Sequence, residues 1–256
     1  MLYGNESISH YNKSNVTLWM IMAFQAGLLN IGGFMACHRF VSHVTGFATF
    51  MGLEVSRGDY RAALGMLSVP VFFLLGAMLS GVLVDVRLKL HKRPKYYLSF
   101  ALMFFLILIV FFGGVWGYFG PFGESLAKIP AYILLALLCL VCGIQNGTIT
   151  SVSRSVVRTT HLTGITTDLG IGIVRYFNRK KFTEEKSGEG IAHLIQAEGA
   201  ANLMRLGIIA CFGLGSIAGG LLFSKFGYHA FALPALTCGM LFLFMYRFQR
   251  VKKSLS

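Results

Sequence analysis

Acidic side chains are scarce in this sequence. Its 256 residues hold 10 Asp and Glu against 23 Lys and Arg, and all four types together make up only 13%. A soluble domain carries about 25% charge, so there is too little charge here to solvate a globular surface. Proline is also rare, with five copies, which leaves long helices uninterrupted. The five cysteines, Cys37, Cys139, Cys142, Cys211 and Cys238, all fall in or beside apolar segments. The single C-x-x-C has no second pair, so it reads as packing rather than as a metal or redox centre. No H-E-x-x-H occurs, nor any serine, histidine and acid set at a recognised spacing. No enzymatic reaction, catalytic residue or cofactor is therefore expected. The polar first sixteen residues, followed by a long apolar run without a clear small-residue cleavage site, argue against a cleavable signal peptide.

What the chain does have is apolar length. Mean hydropathy is +0.66. Six runs reach the roughly twenty residues a helix needs to cross a bilayer: Thr17–Met35, Ala62–Val84, Tyr96–Phe119, Ile129–Ile149, Leu203–Phe226 and His229–Tyr246. Two shorter apolar pieces, 44–56 and 162–176, are too short to cross alone. Trp19, Trp116, Tyr118 and Tyr246 suit the membrane interfaces.

The net charge of +13 is explained by where it sits, not by a nucleic-acid partner. Arg87, Lys89, Lys92, Arg93 and Lys95 lie between the second and third spans. Arg175, Arg179, Lys180, Lys181 and Lys186 lie between the fourth and fifth, and Arg247, Arg250, Lys252 and Lys253 follow the last. Positive charge marks cytoplasmic segments, which predicts six net crossings with both termini in the cytoplasm. Membrane lipids with anionic headgroups are the expected partners of these segments.

The sequence also contains a worn copy of itself. His43-Val-Thr45-Gly46-x-x-Thr49 matches His161-Leu-Thr163-Gly164-x-x-Thr167 at an offset of 118. Gly27-Leu-Leu-Asn30 matches Gly143-Ile-Gln-Asn146, and "LGAMLSGVL" from Leu75 matches "LGSIAGGLL" from Leu214. Two homologous halves, 1–120 and 121–256, follow, with 178–199 a charged, partly amphipathic linker that is either a short interfacial helix or a solvated loop. Three crossings per half turn the second half upside down relative to the first. The predicted fold is an all-α polytopic membrane protein of two inverted three-crossing repeats, each with a broken or re-entrant helix pair. Inverted repeats are a recurring sign of transporters.

The blocks "GLLNIGGFMACHRFVSHVTGFATFMGLEVSRGDY" and "CGIQNGTITSVSRSVVRTTHLTGITTDLGIGIVR" resemble the two signature regions of the YoaK-like family of bacterial membrane proteins, a domain of unknown function numbered 1275. The resemblance covers nearly the whole chain and implies a bacterial inner-membrane protein. It implies no substrate.

Each copy of the motif has the same grammar. A helix bears Asn30 or Asn146 near its end, a non-helical stretch follows, and Ser/Thr-His-x-Thr-Gly opens a short helix. Ser42, Thr45, Thr160 and Thr163 are natural N-cap residues. Backbone that leaves a helix within a bilayer must be buried in protein or line a wet cavity, and helix N-termini attract anions. Gly46 and Gly164 would permit close backbone approach. Arg39 and His43 in the first copy, and Arg158, His161, Thr167 and Asp168 in the second, complete a candidate substrate site. Asp168 could pair with Arg39, Arg158 or Arg205, or could carry a coupled proton. Two histidines so far apart are a weak metal signal, so no metal is assigned. The leading expectation is a small transporter or permease for a small polar, preferably anionic, solute. An intramembrane enzyme acting on lipid, or a non-transporting assembly or receptor protein, is the alternative. A homodimer is compatible with either.

Overall fold

The computed structural model describes residues 13–124, 128–152, 160–178 and 189–251. Among these every element is helical: α1 Lys13–Cys37, α2 Val44–Ser56, α3 Tyr60–Gly65, α4 Ser68–Ser80, a π turn Gly81–Asp85, α5 Val86–Lys89, α6 Tyr96–Val115, α7 Ile129–Val152, α8 Leu162–Phe177, α9 Glu189–Phe226, a 3₁₀ turn Gly227–Phe231 and α10 Ala232–Val251. Five segments are long and apolar enough to cross a membrane: Asn15–Cys37, Tyr60–Lys89, Tyr96–Val115, Ile129–Ser151 and Glu198–Arg247. The last is 50 residues long and contains two helices, α9 and α10, separated by the 3₁₀ turn. The expected linker helix is not a separate element. From Glu189 onward it is the start of α9, and residues 179–188 lie outside the described residues.

Lipid tails are as apolar as leucine, so helices in a bilayer associate by close packing and hydrogen bonds rather than by expelling water. Glycine makes that packing possible here, at two crossings. A Cβ on Gly27 of α1 would strike the carbonyl oxygen of Phe212 in α9, and one on Gly215 of α9 would strike the carbonyl oxygen of Phe24 in α1. In the same way Gly143 of α7 abuts the Phe73 carbonyl of α4, and Gly76 of α4 abuts the Leu140 carbonyl of α7. These four glycines are two matched pairs in the repeat: Gly27 corresponds to Gly143, and Gly76 to Gly215. The close crossings are thus those of α1 with α9 and of α4 with α7. Helices α6 and α10 close the bundle against each other.

The helices α1 and α7 are the inner pair. In their most apolar windows 61% and 56% of residues are buried, against 22–39% in the other spans. Trp19 corrects the expectation of an interfacial ring: it is only 1% exposed and belongs to the core with Met22, Leu138 and Phe100. Trp116 and Tyr118, by contrast, are well exposed. The cysteines of the C-x-x-C are buried in the core as packing residues.

Candidate functional site

Helix α1 ends at a left-handed residue, His38, with φ of 52°. Its amide bonds the Phe34 carbonyl at 2.7 Å, and its Nε2–H donates to the Gly123 carbonyl at 2.8 Å. The chain then turns back. Val41 buries itself over Gly33, where a Cβ would collide with it, and Phe40 stacks on Phe34 with centroids 5.0 Å apart. Gly46 has a specific task in this packing: its missing Cβ would sit 3.2 Å from the Phe40 ring.

The two copies of the motif then make the same bond. Ser42 Oγ donates to Asn30 Oδ1 at 2.8 Å, and Thr160 Oγ1 donates to Asn146 Oδ1 at 2.9 Å. Asn30, Ser42 and Thr160 are buried. Each asparagine at the end of an inner helix thus anchors the residue that precedes a short helix. This corrects the capping expectation. Ser42 and Thr160 face back toward the inner helices instead of capping, and Thr45 and Thr163 lie inside the first turns of α2 and α8. The N-cap positions belong to His43 and His161, with φ of −108° and −104°, and neither makes a side-chain capping bond.

Neither His43 nor His161 caps its helix through its side chain, and the Gly46 amide in the first turn of α2 bonds the His43 carbonyl at 3.1 Å. Thr45, His161, Thr163, Thr167 and Asp168 are exposed, and His43, Gly46 and Gly164 are half-buried. The two copies are near enough to interact. Burial, and then the field of His161, push the His43 imidazole below the usual histidine range. His43 lies in the connection between the first two spans, so its titration is accessible to pH.

Other expected site residues are placed differently. Arg39 is fully engaged in structure. Its Nε meets Met66 Sδ at 3.3 Å, one Nη donates to the His38 carbonyl at 3.0 Å, the other pairs with Glu54 at 2.9 Å, and its guanidinium lies 4.4 Å over Phe50. The pair is nearly buried, with side-chain exposures of 16% and 9%. Arg205 is similarly taken by Glu198 at 2.7 Å and Asn202 at 2.7 Å. Neither arginine is a partner for Asp168, and Thr167 Oγ1 spends its proton on the Thr163 carbonyl. Arg158 lies outside the described residues.

Sequence reasoning missed one feature, a buried amide network at the centre of the bundle. Gln25 and Gln145 are almost fully buried. Gln145 Nε2 donates to the Met22 carbonyl at 2.7 Å, joining α7 to α1. Gln25 Nε2 donates to Cys238 Sγ at 2.8 Å, and Gln25 Oε1 accepts from Thr237 at 3.1 Å, joining α1 to α10. The signal was available: a polar amide in the middle of an apolar span needs a partner. Among the described residues no group of three or more His, Cys, Asp or Glu side chains could hold a metal.

Apolar spans of this length, an inner helix pair bonded by buried amides, and glycine-mediated crossings define a multi-spanning helical membrane protein. The sequence model of the family described as "Protein of unknown function (DUF1275)" matches residues 18–244, and the chain belongs to that family. No curated protein and no solved structure matches it.

Proposed function

We propose that this protein is a small secondary transporter or permease of the bacterial inner membrane, for a small polar and preferably anionic solute. The observation that carries the reading is the pair of equivalent asparagine–hydroxyl bonds. They precede two helix starts that carry no side-chain cap, and the field of His161 reaches His43; in this reading one solute touches both starts. Residues 1–120 and 121–256 form inverted repeats in this reading, with six net crossings and both termini cytoplasmic. The length of Glu198–Arg247 supports the sixth crossing: 50 residues rise about 75 Å as helix, more than twice the ~30 Å of hydrocarbon. The solute meets the first-turn amides and hydroxyls at Thr45 and Thr163, with Gly46 and Gly164 beside it. Asn30, Ser42, Asn146 and Thr160 position those turns, and Asp168 lies further along α8. The anion preference follows from helix N-termini and from the His43 imidazole, which gains charge as pH falls. Arg39 contributes by fixing α2 rather than by contact. Alternating access would move the α1–α9 pair against the α4–α7 pair.

The test is thermal stability of the purified protein against inorganic anions, organic acids, amino acids and nucleobases, at acidic and at slightly alkaline pH. A ligand of the folded state raises the melting temperature. The expected result is a stabilising anion whose effect is lost in Thr45→Val and Thr163→Val, followed by its flux into proteoliposomes. An anion effect that survives both substitutions would place the solute elsewhere and overturn the site.

A further inference from the structure

We propose that the turn 87–95 and the end of α10 together form a binding site for the phosphate of an anionic phospholipid headgroup. This rests on the protein being membrane-embedded and not on the transport reading.

The second span does not simply stop in a flexible basic loop. It ends in a π turn, Gly81–Asp85, and then the short α5. Leu83, in the π turn, offers its carbonyl to the Lys95 amide at 3.0 Å, which draws the far end of the loop back onto the helix. Between them the chain makes a tight C-terminal turn. Lys92 N bonds the Arg87 carbonyl at 2.8 Å, and His91 occupies the left-handed position with φ of 53°. Glycine usually fills that position, so the turn keeps its shape against an intrinsic preference. The Arg87 Nε then donates to the Arg93 carbonyl at 2.7 Å. The guanidinium is held by that edge, and its two Nη groups make no hydrogen bond among the described residues.

A second segment is fastened to this turn. Gln249 Nε2 donates to the Pro94 carbonyl at 3.0 Å, and Tyr246 meets Tyr97 edge-on at 5.8 Å. Arg247, between those two residues, is exposed. That fastening sets Arg247 beside the turn that carries Arg87, Lys89, Lys92 and Lys95. Among the described residues few acids accompany it. Asp85 is the only acid between Asp59 and Glu124, none follows Glu198, and Asp85 is spent on Lys89 at 3.1 Å. Leu88 and Leu90 in the same turn are exposed apolar side chains. Fixed cations suit a phosphate, for which a guanidinium offers paired donors. Neighbouring leucines suit the acyl chains beneath it. A headgroup satisfies both, whereas a free anion uses only the first.

The experiment is native mass spectrometry of the full chain released from nanodiscs of equal phosphatidylglycerol and phosphatidylcholine with matched acyl chains. Wild type is expected to retain phosphatidylglycerol preferentially. The triple variant Arg87→Gln, Lys92→Gln, Lys95→Gln should lose that preference, at roughly fivefold per cation. A control triple, Arg57→Gln, Arg61→Gln, Lys225→Gln, lowers net charge equally and should keep it. If the site triple melts early in phosphatidylcholine alone, the single variants Arg87→Gln and Lys92→Gln replace it, each losing about fivefold. Three outcomes overturn the proposal. The site triple keeps its preference, the control loses it as fully, or millimolar inorganic phosphate displaces the lipid from wild type.

Discussion

Replacing Gly215 by alanine should destabilise this protein, although alanine is the better helix former. On an exposed helix the change would gain up to about 1 kcal/mol. At Gly215 the new methyl group meets three backbone atoms of α1: the Phe24 carbonyl oxygen well inside contact, its carbonyl carbon at 2.8 Å and its Cα at 3.1 Å. Ordinary contact begins near 3.4 Å, and backbone in a helix cannot step aside as a side-chain tip can. The helices must part, and a gap of about 0.5–1 Å already forfeits a quarter to a half of each dispersion contact along the crossing. Overpacking of this kind costs about 1–3 kcal/mol, so the net loss is roughly 1–2 kcal/mol. For a chain of this size that lowers the melting temperature by roughly 2–8 °C. Gly213, one turn face away on the same helix, has nothing within 4 Å of its missing Cβ, and Gly213→Ala should be neutral or stabilising. The assay is thermal unfolding of the two variants in one detergent. Gly27→Ala combined with Gly215→Ala should cost less than the sum of the singles, because both act on one crossing. Gly27→Ala with Gly76→Ala, on separate crossings, should add. A Gly215→Ala protein as stable as Gly213→Ala would refute the close approach.

Ser42→Ala leaves the buried Asn30 oxygen without its donor, and Thr160→Val does the same to the half-buried Asn146 oxygen, each at about 1–3 kcal/mol. Equal losses in chemical or thermal unfolding are expected, and a null effect at one site would mean that its bond is not made. Glu54→Gln leaves the nearly buried Arg39 guanidinium without its carboxylate and should cost about 3–5 kcal/mol, Arg39→Met should cost less because Glu54 keeps Arg57 at 3.7 Å, and the exposed Asp85–Lys89 pair should contribute at most about 1 kcal/mol; a double-mutant cycle for each pair reads the difference. Because the folded state holds His43 below its ordinary value, unfolded chains bind its proton first. Its contribution to stability is therefore present above the unfolded value of about 6.5 and falls as pH drops below it. His43→Gln should flatten the melting temperature over that window, and an unchanged slope would remove His43 from the account.

Much of the helical plan was legible because spanning length and glycine spacing are local properties. Five of the six runs predicted from the sequence fall within the five spanning segments, the last two sharing Glu198–Arg247, while Tyr96–Phe119 overruns a segment that ends at Val115; the two short pieces fall on α2 and α8. The matched motif positions make like bonds, Asn30 with Ser42 and Asn146 with Thr160. What the sequence concealed is which apolar surface faces protein and which faces lipid. Hydropathy is the same for both, so Trp19 looked interfacial while being core. Charge was misleading for a related reason. Arg39 stood beside the motif and looked like a ligand for an anion, but Glu54, fifteen residues on, already neutralises it across a turn that periodicity does not reveal. Gln25 and Gln145 were passed over because neither lies in a matched block with a polar counterpart.

The pairing of α1 with α9 and of α4 with α7 also sets an order of assembly during synthesis. Gly76 of α4 meets its partner Gly143 after 67 further residues, but Gly27 of α1 must wait 188 residues for Gly215. At about 5–20 residues per second α1 spends roughly 10–40 s in the bilayer with its glycine groove unfilled, while α4 and α7 are already paired. The first half made alone should therefore insert but remain open to degradation. Supplying residues 121–256 as a separate chain should rescue it, since the surfaces that cover α1, α4 and α6 are carried by α9, α7 and α10.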